Sequence, residues 1–385
     1  MDSHVVPRLL TNKIKQFVRQ YPIVALTGPR QSGKTTILRA MFEGYRYLSL
    51  EDISVREFAE NDPIGFLKQY DDKVIFDEAQ RVPSLFPYLQ VSVDKSRKLG
   101  QYILSGFQNF HMMERITQSL AGRVAITRLL PFDAKELKAA DLFEENWMEM
   151  AFKGFYPAIY DRNLSPREFY NSYLSTYIDR DVSDLRNIHD FRAFRTLLGL
   201  LAGRVGQLIN YSDLAKSIGV SQPTVKAWIA VLERSYIVYT LPPYFENFSQ
   251  RLIKRPKIYF YDTGLLCFLL GVMDPEAIQA SNLRGPIFEN LCVAELLKRN
   301  EHEYTLLDFY FWRNSSGKEI DLLHLLNGGL SIYEVKSTST RSTKIMKGLQ
   351  FFSELAKGQV KQKTILYGGS ESEVWNDVQF RPWWA

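Results

Sequence analysis

Residues 28–36, Gly-Pro-Arg-Gln-Ser-Gly-Lys-Thr-Thr, have the spacing G-x-x-x-x-G-K-[ST]. Gly28 and Gly33 permit a turn tight enough for backbone N–H groups to face a phosphate chain, and a helix beginning near Lys34 adds the positive end of its dipole. Lys34 can reach the β and γ phosphates, and Thr35 can offer its hydroxyl to Mg²⁺. The candidate ATP-binding segment is therefore Gly28, Pro29, Arg30, Gln31, Ser32, Gly33, Lys34, Thr35 and Thr36. A second acidic group closes Lys73-Val-Ile-Phe-Asp-Glu78. Asp77 would hold the Mg²⁺, usually through water, and Glu78 would orient and deprotonate the attacking water.

A different constellation lies near the C-terminus. Asp321 falls in one predicted strand and Glu334-Val-Lys336 in the strand paired with it. A spacing of two puts Glu334 and Lys336 on one face, and a hairpin can bring Asp321 to it. Asp321 and Glu334 could hold Mg²⁺ against a scissile phosphate while Lys336 stabilises developing charge. Glu289, on a preceding helix, is a third candidate metal ligand. An Asp followed by Glu-x-Lys is the pattern of restriction-type nucleases. Three readings stay open: an active nuclease site, a nuclease-like fold used only for binding or regulation, and an ordinary salt-bridge cluster on a sheet.

Positioning these groups takes several elements. A chain of 385 residues with 45% hydrophobic and 24% charged residues can build two or three domains. Its net charge of +5 is compatible with nucleic acid without indicating it. Two cysteines, Cys267 and Cys292, both in apolar settings, argue against a disulfide scaffold or a thiolate metal site. The N-terminal residues lack the apolar core of a signal peptide, and the longest apolar run, Leu265–Leu270, is far too short to span a bilayer. The expected location is the cytoplasm, with no membrane partner.

Strands are predicted at Ile23, Tyr45–Leu50, Val74–Asp77, Tyr102–Ser105 and Val124–Leu129, alternating with helices. That alternation predicts a parallel, helix-covered sheet over residues 1–131. Ile53–Gln69 reads as two short helices broken at Asn61-Asp62-Pro63, and Val82–Lys95 as a helix interrupted by Pro87. Arg115 and Arg123 are each either an arginine finger or a structural cation. A helical connector fills 132–203, where Asp179 and Asp181 do not share a helical face and are not read as a metal pair. Residues 204–257 form a winged helix-turn-helix pattern: Tyr211–Ile218, a turn at Gly219, and Ser221 capping Gln222–Ser235. Gln222, Thr224 and Lys226 would face bases if this module binds DNA; otherwise it packs between larger domains. The basic run Arg251–Lys257 is either a DNA contact or a solvated linker. An α-β-β-β-α-β succession over 258–385 completes the expected α/β fold: a P-loop parallel sheet, a helical and winged-helix middle, and a restriction-endonuclease-like C-terminal domain.

Together these motifs resemble the prokaryotic ATPases of the AAA superfamily that carry a DUF4143 C-terminal region. The resemblance runs from about residue 8 to the end. It rests on Gly28–Thr36, Phe76-Asp-Glu-Ala-Gln80, Leu120-Ala-Gly-Arg-Val124, Tyr177-Ile-Asp-Arg-Asp-Val182, Tyr261-Asp-Thr-Gly-Leu265, Gly285–Glu289, Phe311-Trp-Arg313 and Glu319-Ile-Asp321 with Glu334-Val-Lys336. It implies an ATPase using ATP and Mg²⁺ whose C-terminal portion is similar to restriction-endonuclease-like folds. Phe107 departs from the family pattern, which is small and polar there, and Ser105, Gln108 and Asn109 compete for the role of γ-phosphate sensor. DNA is the expected partner, with a second copy of the chain or another protein as alternatives.

Overall fold

The computed structural model describes residues 6–106, 119–177, 188, 190–245 and 254–385. Arg115, Gln108, Asn109, Asp179, Asp181 and Arg251 lie outside the described residues. The chain forms two compact units. The first contains Met1–Asp141 with Arg234–Tyr236 and Lys298–Thr305; the second contains the remainder.

In the first unit, α1 (Thr11–Val18) leads into β1 (Ile23–Thr27) and α2 (Lys34–Met41). There follow β2 (Arg46–Ser49), α3 (Ile53–Asn61), α4 (Pro63–Gln69), β3 (Val74–Asp77), α5 (Phe86–Ser96), β4 (Tyr102–Gly106) and β5 (Val124–Arg128). The strands form a parallel sheet in the order β2-β3-β4-β1-β5. Every residue of β1 is buried, as expected for a strand covered on both faces. Side chains alternate between the faces: Ile23, Ala25, Val74 and Phe76 pack with Phe66, Phe86 and Leu89, while Val24, Leu26 and Ile75 pack with Ile14, Phe17 and Leu38. Asp62 divides α3 from α4 because its side chain accepts the Gly65 N–H while Pro63 takes the first helical position. The expected interruption at Pro87 is instead a start. Short 3₁₀ turns cover Ala79–Arg81 and Pro83–Leu85, and α5 begins at Phe86, with Pro87 in the first turn where its missing N–H costs no helical bond.

In the second unit, the Gly154-Phe-Tyr-Pro break and the Tyr261-Asp-Thr-Gly segment meet. The buried Asp262 carboxylate accepts from Phe155 N (2.8 Å), Leu265 N (2.9 Å) and Tyr170 Oη (2.7 Å). Gly154 has φ +74, and a Cβ there would lie 1.9 Å from the Tyr170 hydroxyl oxygen. Helices Tyr211–Ile218 and Gln222–Arg234 flank Gly219 (φ 73), with Ser221 Oγ accepting Thr224 N at 3.2 Å. Val225, Trp228, Ile229 and Leu232 are buried, while Gln222 and Lys226 are exposed. β6 (Val238–Leu241) and β7 (Lys257–Phe260) pair antiparallel.

The long helix Arg284–His302 precedes β8 (Phe309–Arg313), β9 (Glu319–Leu326) and β10 (Gly329–Lys336). Helix Lys347–Leu355, β11 (Val360–Tyr367), β12 (Glu373–Trp375) and β13 (Val378–Pro382) follow. The sheet order is β12-β13-β11-β10-β9-β8, with β8-β9-β10 antiparallel and β10, β11 and β13 parallel. The β9–β10 turn uses Asn327-Gly328, Gly328 having φ 83. β12 and β13 extend the expected succession by a strand pair.

Candidate functional sites

The phosphate loop joins the buried end of β1 to α2. Gly28 (φ 152) and Gly33 (φ 93) adopt backbone conformations that favour glycine, and a Cβ on Gly28 would lie 2.2 Å from Leu129 O. Lys34 is buried, and its Nζ donates to Gly28 O (3.1 Å) and Pro29 O (2.7 Å), so the ammonium rests on the loop's own carbonyls. Pro29 and Ser32 are buried, Arg30 is half-buried, and Gln31 and Thr36 are exposed. Thr35 Oγ1 donates to Asp77 Oδ2 at 2.8 Å, joining the two groups expected at Mg²⁺. Tyr47 donates its hydroxyl to the same oxygen, with the Arg39 guanidinium 3.8 Å from its ring centroid. Burial and the Asp77 carboxylate push the Tyr47 phenol up to about 12. Glu78 sits at φ 53, and Gln80 Nε2 donates to its carboxylate. Gly106, ending β4, leaves room for this arrangement: a Cβ there would lie 2.1 Å from Gln80 Oε1.

A phosphate chain fits these residues. The buried hydroxyls of Ser32 and Ser105 have no hydrogen-bond partner among the described residues, an unsatisfied state that phosphate oxygens could relieve. Arg123 forms a bidentate pair with Asp94 on α5 (2.6 and 2.8 Å).

Behind the loop, Arg8 donates to Ser32 O (2.9 Å) and Leu130 O (2.6 Å) and pairs with Glu136 (2.9 Å). Asp133, Glu136 and His302 bring ligand atoms within 4.8 Å of one another, a spacing compatible with a metal ion. Their oxygens are already engaged. Asp133 accepts from Glu136 N (2.9 Å) and faces His302 Nδ1 (2.7 Å), while Glu136 accepts from Leu9 N (2.9 Å) and Asp133 N (3.2 Å). Burial pushes the Asp133 carboxyl up, but His302, the Glu136 N–H and Lys298 outweigh it and hold it at about 2. The cluster is a charge-balanced tie that anchors the loop.

The second constellation gathers on β9 and β10. Asp321 Oδ2 accepts Val335 N at 2.8 Å, and Lys336 Nζ lies 2.6 Å from Glu334 and 3.8 Å from Asp321. Burial and the Asp321 charge push Glu334 up to about 8 against the opposing pull of Lys336. Helix Lys347–Leu355 approaches so closely that a Cβ on Gly348 would lie 2.4 Å from Glu334 Oε1. Glu289 faces the same region, but its carboxylate is held by Lys257 Nζ (3.0 Å) and Tyr259 Oη (2.6 Å). Burial, with Asp321 nearby, raises the Glu289 pKa.

Lys257 overturns an expectation. Read as one cation of a basic run, it is 3% exposed and paired with both Glu289 and Glu319, whereas Lys254 and Arg255 are exposed. The run ends where β7 begins, and strand alternation turns Lys257 and Tyr259 to one face. That alternation, and the matching Glu319-Ile-Asp321, was the available signal for these partners. Tyr47 and Arg8 had no local signal, since their roles depend on long-range packing.

A family model described as an AAA domain matches residues 20–138, and two domains of unknown function, DUF8612 and DUF4143, match 144–276 and 284–385. Uncharacterized proteins Rv2008c of Mycobacterium tuberculosis and Mb2031c of Mycobacterium bovis are each 30% identical over 364 residues, covering 93% of this chain and 79% of theirs. Among solved structures, the Walker-type ATPase of Pyrococcus abyssi is 16% identical, covers 70% of this chain and 97% of its own, and has a TM-score of 0.45. AMPPCP-bound DnaA from Aquifex aeolicus is 15% identical, covering 58% and 86%, with a TM-score of 0.27. Among the described residues no helix is long and apolar enough to cross a membrane. With Thr35 of the phosphate loop bonded to Asp77 in the first unit and a DUF4143 match over residues 284–385, the chain belongs to the family of these mycobacterial proteins and is an AAA-domain ATPase with a DUF4143 C-terminal region.

Proposed function

We propose that the chain couples ATP hydrolysis to binding of DNA, and that its C-terminal domain, restriction-endonuclease-like in its order of elements, cleaves phosphodiester bonds with a divalent ion. The observation that carries the second part is the approach of Asp321, Glu334 and Lys336 on paired strands. Asp321 and Glu334 offer the hard oxygen ligands that Mg²⁺ takes. Such an ion polarises a phosphoryl oxygen and generates a nucleophile from water. Lys336, half-exposed, would neutralise charge developing on the phosphate, and Glu289 lies near enough to support the ligand set.

For the ATPase reaction, Thr35 and Asp77 would hold Mg²⁺, Lys34 would exchange the loop carbonyls for phosphate oxygens, and Glu78 would take the proton of the attacking water. Gln222, Thr224 and Lys226 would face the duplex, with Lys254 and Arg255 as phosphate contacts. The domain limits of this reading are 1–131, 132–203, 204–257 and 258–385, and the cytoplasm is its setting.

One observation favours a second reading. Helix Gln222–Arg234 offers Lys226 as the lone exposed lysine on its outward face, thin for phosphate contacts. A nucleotide-dependent switch, with a silent C-terminal site that binds a protein or another copy of the chain, would need no more. Nicking of supercoiled and branched DNA with Mg²⁺ separates the two. Cleavage abolished by Asp321→Ala supports the nuclease; absence of cleavage on every substrate despite intact ATPase supports the switch.

A further inference from the structure

The carboxylates of the C-terminal site already enclose a cation, and it is covalently part of the chain. We propose that Lys257 is a resident cation of this site, standing where a second divalent ion would otherwise bind, so that the site takes one divalent ion rather than two. The inference rests on the metal-site reading above and deepens it.

Glu289, Glu319, Asp321 and Glu334 converge from one helix and two strands, with Lys257, Lys336 and Arg313 among them. The cations divide the carboxylates between them. Lys336 lies against Glu334 and Asp321 and is half-exposed, so it can give way to an ion or a phosphate. Lys257 lies against Glu289 and Glu319, and it has nowhere to go. It is 3% exposed, its backbone pairs with Leu241 across β6–β7, and the rings of Tyr259 and Phe311 lie 6.0 and 5.7 Å from its Nζ. Its Nζ lies 3.0 Å from Glu289 and against Glu319, and two carboxylates in contact favour the charged ammonium.

Two-metal phosphoryl-transfer sites hold their ions about 3.5–4 Å apart on shared carboxylates. Here the carboxylates a second ion would need are occupied by a fixed positive charge, which also repels any ion placed beside it. Removing the ammonium takes the buried cation from between Glu289 and Glu319; Arg313 stays on Glu319 and the Tyr259 hydroxyl on Glu289, and the oxygens released are suitable ligands for a divalent ion. Lys257 is thus a positioning residue: it supplies constant charge behind the ion and aligns Glu289, without touching substrate.

Mn²⁺ binding to the full chain tests this, in a Thr35→Ala/Asp77→Ala background that disables the nucleotide-site ion. Ions are counted by calorimetry and by the electron-paramagnetic signal of free Mn²⁺. The parent should bind one Mn²⁺, lost in Asp321→Ala. Lys257→Met should bind two, show spin coupling between them, and gain more thermal stability from Mn²⁺ than the parent gains. Lys257→Arg, which keeps the charge, should bind one. Two ions in the parent, or one ion of unchanged affinity in a folded Lys257→Met, overturns the inference while leaving the metal-site reading standing. No Mn²⁺ in either protein overturns that reading itself. If Lys257→Met fails to fold, Lys257→Gln carries the same expectations, and the parent's ion count remains decisive against the proposal.

Discussion

The nucleotide site and the C-terminal carboxylate site both hold lysines against oxygen atoms, but the oxygens differ. Lys34 rests on two neutral backbone carbonyls, while Lys257 and Lys336 rest on carboxylates. A hydrogen bond contributes about 0.5–1.5 kcal/mol net, so phosphates can take over Lys34 at little cost. Breaking a buried ion pair by removing one partner costs about 3–5 kcal/mol. The first site is arranged to exchange ligands; in the second Lys257 is fixed in place, and the partly exposed Lys336 is the cation placed to give way.

The largest effect that would sharpen this contrast is in hydrolysis. Glu78→Gln should retain ATP binding but slow phosphate release by about 10²-fold or more. Lys34→Ala should instead weaken binding. Equal hydrolysis by wild type and Glu78→Gln would remove Glu78 from its role. At the other site, Lys257→Ala should destabilise the fold by about 3–5 kcal/mol in denaturant titrations, because Glu289 and Glu319 lose their buried partner. Lys254→Glu with Arg255→Glu should leave stability within about 0.5 kcal/mol and weaken DNA binding at low salt, as exposed cations do. Equal stability losses from the buried lysine and the exposed pair of cations would break the comparison.

A smaller effect concerns pH. Glu334 titrates at about 8 in the fold, above the ordinary carboxylate value, so it must lose a proton to act as an anionic ligand. Mn²⁺ affinity at the C-terminal site should therefore rise with pH up to about 8, by at most about tenfold per unit. The stability linkage has the opposite direction. The unfolded chain releases this proton near pH 4.5 and the folded chain near 8, so the proton-linked stability is full below about 4.5 and falls as pH rises towards 8. A pH-independent Mn²⁺ affinity would contradict the cause assigned to the shift. The smallest effect belongs to Tyr47→Phe. Loss of one donor to Asp77 should change the Mg²⁺ concentration needed for ATP-analogue binding several-fold, at about 0.5–1.5 kcal/mol, while binding without Mg²⁺ stays unchanged.

The nucleotide site was legible because its parts are local. Gly28, Gly33, Lys34 and Thr35 are fixed by one loop, and Asp77-Glu78 ends a strand whose apolar run announces it. The parallel sheet followed from the same alternation of strands and helices. Asp321, Glu334 and Lys336 were also legible, since a hairpin and a period of two suffice to relate them. Lys257 was not. In the chain it closes a basic run, and only pairing with β6 and burial beside Glu289 and Glu319 decide that its charge is internal. Arg8 and Tyr47 share that history, being joined to Ser32 and Asp77 across 24 and 30 residues. Periodicity and spacing thus determined which faces and loops exist. Beyond one hairpin, tertiary structure decided which charges meet, as for Lys257 with Glu289 and Glu319 and Arg8 with Glu136, because such an ion pair depends on distance and burial in space rather than on neighbours in the chain.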